Sequence, residues 1–329
     1  MSSPLLEVRN LTVDYRDRHG RVVAVDDISF TLDRGEILGV VGESGAGKSL
    51  TGMAILGLLD RPMALAGGEI LLSGRRIDNL PETEMRRIRG REVGAIFQDP
   101  LTSLNPLYTV GRQLTETILT HLDLTPEQAR RRAVELLQEV GIPAAAERID
   151  SYPHEFSGGM RQRVVIALAL ACGPKLIIAD EPTTALDVSI QAQIIDLILR
   201  LCEEHGTAVM LITHDMGVIA EAARRVAVLY AGRIAEIGDS EQVLHAPRHP
   251  YTQGLMASIP ILGRTGARLQ QIDGAMPRLQ AIPPGCAFHP RCPRRFTPCD
   301  SLRPDLSGDG ETRSACHLNA TAGEELSHG

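Results

Sequence analysis

The chain has 329 residues, which allows about two domains and a sizeable buried core. Apolar residues make up 43% and charged residues 23%, the balance of a folded globular protein. A net charge of −7, 3% aromatic residues and no tryptophan argue against a broad basic face for nucleic acid or anionic lipid, and against an aromatic platform for single-stranded bases.

The arginine groups at Arg86, Arg87, Arg89, Arg91 and Arg130–Arg132 read as solvated helix faces. No stretch reaches the ~18 apolar residues that a membrane-spanning helix needs; Val164–Cys172 comes nearest and is far too short. Met1-Ser2-Ser3-Pro4 lacks the basic and apolar regions of a secretory signal. The expectation is a cytosolic chain whose membrane role, if it has one, runs through a partner.

In chain order, Leu5–Tyr15 and Val22–Leu32 alternate as strands of an antiparallel layer. Gly35 turns the chain into Ile37–Val41, a continuous apolar run that fits a strand buried on both faces. A glycine-rich loop, Gly42–Ser49, follows, then a helical pattern through about Leu59. Val93–Gln98 reads as another strand, and Pro100–Ala171 as mainly helical, most clearly at Pro126–Val140 where Ala129, Ala133, Leu136, Leu137 and Val140 recur at helical spacing. Leu176–Ala179, Ala208–Thr213 and Val226–Tyr230 are short apolar strands, separated by helical patterns at Ile190–Glu203 and Met216–Ala223. That alternation predicts a parallel sheet with crossover helices, and makes the Pro100–Ala171 block an insertion between core strands. Beyond about Asp239 the texture changes to a separate, loop-rich tail, proline-dense from Pro277 to Pro304 and carrying four cysteines.

Three stretches carry chemistry. Gly42-Glu43-Ser44-Gly45-Ala46-Gly47-Lys48-Ser49 matches G-x-x-x-x-G-K-[ST] in full, between an apolar strand and a helix as a phosphate loop requires. Inward backbone N–H groups and the helix N-terminus bind phosphate oxygens, Lys48 reaches the β- and γ-phosphates, and the Ser49 hydroxyl takes Mg²⁺. Leu176–Ala179 delivers Asp180 to the metal and places Glu181 where it could polarise a water against the γ-phosphate. Phe156-Ser157-Gly158-Gly159-Met160-Arg161-Gln162-Arg163 is a second glycine-serine turn entering a helix, a surplus phosphate cradle which hints that two chains share their nucleotides.

With these residues the chain resembles the nucleotide-binding subunit of an ATP-binding-cassette (ABC) transporter, over roughly residues 5 to 260. Phe156–Met160 resembles the family signature, with Phe156 and Met160 in place of the usual leucine and glutamine. Gln98 resembles the Q-loop glutamine, Ala185-Leu186-Asp187 the D-loop, His214 the switch histidine and Tyr15 the aromatic that stacks on adenine. The resemblance implies a P-loop NTPase (RecA-like) α/β core with an antiparallel β subdomain, an inserted helical subdomain at about 100–171 and a C-terminal extension. It implies that ATP contacts Tyr15, Gly42–Ser49, Leu50, Gln98 and Asp187. Mg²⁺ would be held by Ser49, Gln98 and Asp180, and catalysis would rest on Glu181, His214 and Lys48. ATP on one P-loop would face Ser157, Gly158 and Gly159 of a second subunit, so that closure on two ATP molecules supplies work and hydrolysis resets the pair.

Gln98–Pro106, Tyr152–Met160 and His249-Pro250-Tyr251-Thr252 are similar to the oligopeptide/dipeptide branch of that family, as is the cysteine-bearing tail. That branch implies two transmembrane permease subunits, a second ATP-binding subunit (a related chain, otherwise a second copy) and an external solute-binding protein. It implies import at the cytoplasmic face of the cell membrane, of peptides or, in relatives, of nickel, opines, glutathione or sugars, with no nucleic-acid partner. The expected division is a nucleotide-binding domain at 1–260 and an extension at 261–329.

Cys286, Cys292, Cys299 and Cys316 stand too far apart for the common C-x₂-C zinc pattern. Four cytosolic thiols suit zinc or an iron–sulfur cluster, or form an empty thiol tail. Some members of the branch carry a [4Fe–4S] cluster at a similar pattern. His289 and His317 are candidate substitute ligands, a tail that senses redox state or iron is a further reading, and Cys172 and Cys202 read as buried apolar residues. The competing function is a non-transport ABC ATPase acting on nucleic acid or ribosomes. Such proteins usually carry two cassettes, a long coiled coil or a zinc insertion, and none is apparent here.

Overall fold

The computed structural model describes residues 3–18, 20–184, 187–258, 271–308 and 312–319. They begin with strands β1 (Leu6–Asp17), β2 (Gly20–Leu32) and β3 (Ile37–Val41), helix α1 (Lys48–Leu56), strands β4 (Ala64–Leu72) and β5 (Arg75–Arg76), helix α2 (Glu82–Ile88) and strand β6 (Val93–Ile96). A helical stretch follows: α3 (Pro100–Ser103), α4 (Val110–His121), α5 (Pro126–Glu139), α6 (Ala145–Arg148) and α7 (Gly158–Leu170). Then come β7 (Leu176–Asp180), α8 (Val188–His205), β8 (Ala208–Ile212), α9 (Met216–Ala222), β9 (Arg225–Tyr230), β10 (Arg233–Asp239), α10 (Ser240–His245), α11 (Pro250–Ala257) and β11 (Arg313–Ser314). The chain divides into two compact units, one of Met1–Glu7, Thr31–Ile37 and Leu71–Ile212, the other of Val8–Phe30, Leu38–Ile70 and Thr213–Gly329. The expected boundary at 260/261 lies outside the described residues.

In the first unit β6, β7 and β8 pair in parallel, with Val93 opposite Leu176 and Leu176 opposite Ala208. Leu176–Ala179 and all of β8 are buried, which is why they read as unbroken apolar runs. Helix α7 lies so close to β6 that a Cβ on Gly94 would stand 2.5 Å from the Ala169 carbonyl oxygen. Helix α5 starts at a capping box, with the Thr125 hydroxyl accepting from the Gln128 N–H and the Gln128 side chain accepting from the Thr125 N–H. Its apolar stripe is buried as the spacing predicts; Leu136 and Leu137, fully buried, contribute about 2 kcal/mol each. The arginine groups stand on exposed faces in ion pairs, among them Arg89 with Glu82, Arg130 with Asp150 and Arg131 with Glu127. Exposed pairs of this kind add little stability, because water screens the charges and ordering two long side chains costs entropy.

In the second unit β3 pairs in parallel with β9, β9 antiparallel with β10, and β10 antiparallel with β11. The β9–β10 turn places Ala231 and Gly232 at φ 48° and 79°, the left-handed pair that a tight hairpin needs. Helix α1, expected through about Leu59, stops at Leu56 because Gly57 adopts a left-handed φ of 62° and caps it with N–H bonds to the Met53 and Ala54 carbonyls. The C-terminal segment, expected as a separate tail, belongs to this unit and supplies β11 to its sheet. No helix among the described residues is long and apolar enough to cross a membrane.

Two buried polar groups hold α11 against β10. Glu236 is fully buried and its carboxylate accepts the N–H groups of Arg248 (2.7 Å) and His249 (3.0 Å). His249, 3% exposed, caps α11 by accepting the Tyr251 N–H at its Nδ1 (3.0 Å). Burial pushes the His249 imidazole down to about 4, opposed by a hydrogen bond to the Ala315 backbone. The unfolded chain takes up a proton near pH 6.5 while the folded ring stays neutral, so the stability His249 contributes is complete above about pH 6.5 and is lost as pH falls toward 4. Urea unfolding at about pH 7 and about pH 4.5 should show an acid loss of about 2 kcal/mol that is missing from His249→Gln, whatever that variant's stability at neutral pH.

Candidate functional site

Within the second unit, β3 ends at Val41 and the chain turns into the loop at Gly42. Gly42 has φ 148°, and a Cβ there would lie 2.3 Å from the Leu229 carbonyl oxygen, so only glycine lets the loop pass this close to β9. Gly47, with φ 101°, caps α1, whose first residue is Lys48. Lys48 is 5% exposed and its Nζ donates to the Gly42 (2.7 Å) and Glu43 (3.2 Å) carbonyls, folding the loop around its own cation. The Ala46 N–H donates to the Glu43 carbonyl (3.2 Å), and the Ala46 carbonyl accepts the Gly232 N–H (2.9 Å) from the hairpin. A concave loop with a buried ammonium at a helix N-terminus is the arrangement that binds phosphate.

His214 follows β8 and is exposed. The neighbouring Thr213 N–H donates to the Val40 carbonyl (3.2 Å) of β3, the strand that feeds the loop. Tyr15 is half-buried on β1, and its hydroxyl accepts from Gln280 Nε2 (2.8 Å) in the C-terminal segment.

The first unit holds the acidic group. Asp180 ends β7 opposite Ile212, and Glu181 follows with a left-handed φ of 46°, its N–H bonded to the Ile212 carbonyl (2.8 Å). A non-glycine residue in that region stores on the order of 1 kcal/mol of strain. Glu181 Oε2 accepts from Gln98 Nε2 (3.2 Å) and from the Thr184 hydroxyl (2.8 Å). Gln98 and Glu181, predicted separately, are thus in direct contact, while Thr184 is a partner that sequence reasoning missed. A carboxylate held in place by neighbouring donors is positioned to receive a proton.

In the same unit Ser157 caps α7, its hydroxyl accepting the Met160 N–H (3.3 Å), and Ser157 and Gly158 are exposed at that helix N-terminus. Phe156 is buried, 2% exposed, and anchors the turn. A Cβ on Gly159 would stand 3.1 Å from the Ile190 side chain of α8. Asp187 is exposed and stands at the N-terminal boundary of α8 without a side-chain capping bond, whereas Ala185 and Leu186 lie outside the described residues. Gln162 is fully buried in α7, and neither of its side-chain polar atoms has a hydrogen-bond partner among the described residues.

Cys286, Cys292, Cys299 and Cys316 line a single cavity in the second unit, and all are free thiols. Burial pushes each of Cys286, Cys292 and Cys316 up, Cys316 to about 11, and neighbouring cysteines push in the same direction. Among the described residues no group of three or more histidine, cysteine or acidic side chains is arranged to hold a metal ion. His289 and His317, the candidate substitutes, face the Cys286 (3.0 Å) and Leu302 (2.8 Å) carbonyls. Cys172 and Cys202 are buried, and burial raises Cys202 to about 12.

Comparison with known proteins decides the family. Residues 25–184 match the family described as ABC transporter, and residues 235–299 match the oligopeptide/dipeptide transporter C-terminal region. The chain is 48% identical to the dipeptide transport ATP-binding protein DppD of Escherichia coli (strain K12) over 315 residues, 95% of this chain and 96% of that one. The chain belongs to the ABC transporter ATP-binding family, in its oligopeptide/dipeptide branch. The DppD protein of Bacillus subtilis (strain 168) is 50% identical over 91% of this chain and 90% of its own length. The oligopeptide transport ATP-binding protein AppD of the same organism is 45% identical over 99% of this chain and 100% of its own length. Among solved structures, the dimeric post-hydrolysis state of the ATP-binding cassette MJ0796 bound to ADP and Pi matches with a TM-score of 0.64 and 29% identity, over 71% of this chain and 98% of that one. The fold is therefore that of the P-loop ATPase cassettes, and the ABC ATPase binds ATP with Mg²⁺ and hydrolyses it.

The close approach at Gly42 gives a direct test. Gly42→Ala should cost about 2 kcal/mol or more of stability, because the new methyl group meets backbone that cannot turn aside. Thermal unfolding of the full chain measures it, and an unchanged midpoint would contradict the packing.

Proposed function

We propose that this ATPase energises a membrane permease for the import of di- or oligopeptides. The observation that carries the reading is the pairing of an ABC cassette match with the oligopeptide/dipeptide C-terminal match in one chain, as in relatives named for dipeptide and oligopeptide transport. Import of nickel, an opine, glutathione or a sugar is the alternative within the branch. A non-transport ATPase acting on nucleic acid or ribosomes has neither the charge nor the tail match in its favour.

In this reading Gly42–Ser49 and Leu50 hold the nucleotide phosphates, Tyr15 faces the base, and Lys48 exchanges its carbonyl partners for the β- and γ-phosphates. Ser49, Asp180 and Gln98 would hold Mg²⁺, which would neutralise phosphate charge when bound. Glu181, steadied by Gln98 and Thr184, takes the proton of the water whose oxygen attacks the γ-phosphorus as the bond to the β-phosphate oxygen breaks. His214 donates to the γ-phosphate. Ser157, Gly158 and Gly159 present their helix N-terminus, with Asp187 beside it, to the nucleotide of a second ATP-binding subunit. The working assembly is two such subunits, two permease chains and an external solute-binding protein, with this chain held peripherally on the cytoplasmic face of the inner membrane. For the tail we propose a partly buried thiol cluster. Four thiols on one cavity suit zinc or [4Fe–4S] by donor type, their present arrangement does not close around an ion, and no step is routed through one.

Glu181→Gln should keep ATP binding and lose about 100-fold or more in turnover, since a positioned general base contributes on that scale. Full residual hydrolysis would remove Glu181 from the role of base. Affinity purification from membranes should bring down two permease chains and a solute-binding protein; nucleic acid or ribosomes in their place would overturn the transport reading.

A further inference from the structure

The P-loop residue Glu43 is held by the C-terminal segment. Its carboxylate makes a two-pronged ion pair with Arg291, from Nη1 to Oε2 at 2.6 Å and from Nη2 to Oε1 at 3.0 Å. The Arg291 side chain is only 6% exposed. Its Nε donates to the Asp273 carbonyl (2.9 Å), and Nη2 also reaches the Ile272 (3.4 Å) and Gly274 (3.3 Å) carbonyls. The guanidinium lies 5.9 Å from the Tyr230 ring centroid and 6.0 Å from that of Phe288. Bonds to Glu43 hold Arg291 further above its ordinary range, so its charge is permanent. A second tie comes from Tyr251, fully buried, whose hydroxyl accepts the Glu43 N–H (2.9 Å).

These contacts act on a loop that has to receive several negative charges. The Glu43 carboxylate sits in the same turn whose carbonyl accepts from Lys48 (3.2 Å). An unpaired carboxylate there would repel nucleotide phosphates and compete for the lysine. Arg291 neutralises that charge and draws the side chain toward the C-terminal segment, while Tyr251 fixes the direction of the peptide N–H. We propose that Arg291 and Tyr251 are positioning residues for the P-loop, so that the C-terminal segment of this chain sets its affinity for nucleotide. The inference rests on the assignment of Gly42–Ser49 as the nucleotide site and extends it to residues outside the cassette motifs.

Equilibrium binding of MgATP to the purified full-length chain tests it, together with the KM and kcat of its ATPase. Arg291→Gln should raise the dissociation constant about tenfold, the scale of an ordinary coupling between sites, and raise KM in step while kcat at saturating ATP stays within about twofold. Arg291→Lys keeps the charge without the fork, and should fall between wild type and Arg291→Gln. The double variant Glu43→Gln/Arg291→Gln removes both charges and should recover most of the lost affinity, which a role in folding alone would not allow. Should Arg291→Gln fold poorly, Arg291→Lys and the double variant carry the comparison. Wild-type affinity in Arg291→Gln and Arg291→Lys, or a double variant no better than Arg291→Gln, would overturn the proposal. A wild-type chain that fails to bind MgATP would instead overturn the nucleotide assignment, and this inference with it.

Discussion

The turn at Gly42 decides the geometry of the proposed nucleotide loop. Its φ of 148° and the 2.3 Å that would separate a Cβ from the Leu229 oxygen leave one residue type at the point where β3 becomes the loop. Once the chain passes there, the Gly42 and Glu43 carbonyls face Lys48 Nζ, and the Ala46 carbonyl receives the Gly232 N–H. The loop is therefore clasped from within by its lysine and from behind by the β9–β10 hairpin. In the proposed function, phosphate binding asks for an exchange of partners by Lys48 rather than for folding of a disordered segment.

The same unit brings the C-terminal segment onto this loop. Family comparison treats the cassette and the C-terminal region as two matches, at residues 25–184 and 235–299. Arg291 on Glu43 and Tyr251 on the Glu43 N–H make them one physical neighbourhood. Buried Glu236 and His249 support it, since they fix the start of α11 and hence Tyr251. In the other unit, Glu181 is placed by a strained backbone and two side-chain donors.

Much of this was legible in the sequence because the signals are contiguous. Ile37–Val41 followed by Gly42–Ser49 reads as strand, loop and helix, and the unbroken runs at Leu176 and Ala208 announce strands buried on both faces. The capping box at Thr125 and Gln128 and the stripe from Ala129 to Leu137 are equally local. What was missed is non-local or masked by charge. β4 opens on Ala64-Leu65-Ala66-Gly67-Gly68, a weak strand pattern, and β10 carries Glu236, a charged residue that bonds such as those from the Arg248 and His249 N–H groups make tolerable in the interior. The partners of Glu43 lie 208 and 248 residues away, and no spacing rule reaches across such a distance. Thr184, three residues after Glu181, was within reach but hidden, because its contact depends on the left-handed turn at Glu181.

The central claim is that ATP hydrolysis by this chain is harnessed to peptide import, and the most direct measurement is ATP turnover by the membrane-purified complex in lipid vesicles, with its solute-binding protein supplied outside. Saturating di- or oligopeptide should raise the turnover rate, and labelled peptide should accumulate only while ATP is present on this chain's side. Turnover indifferent to peptide, or stimulated instead by nickel, an opine, glutathione or a sugar, would contradict the account.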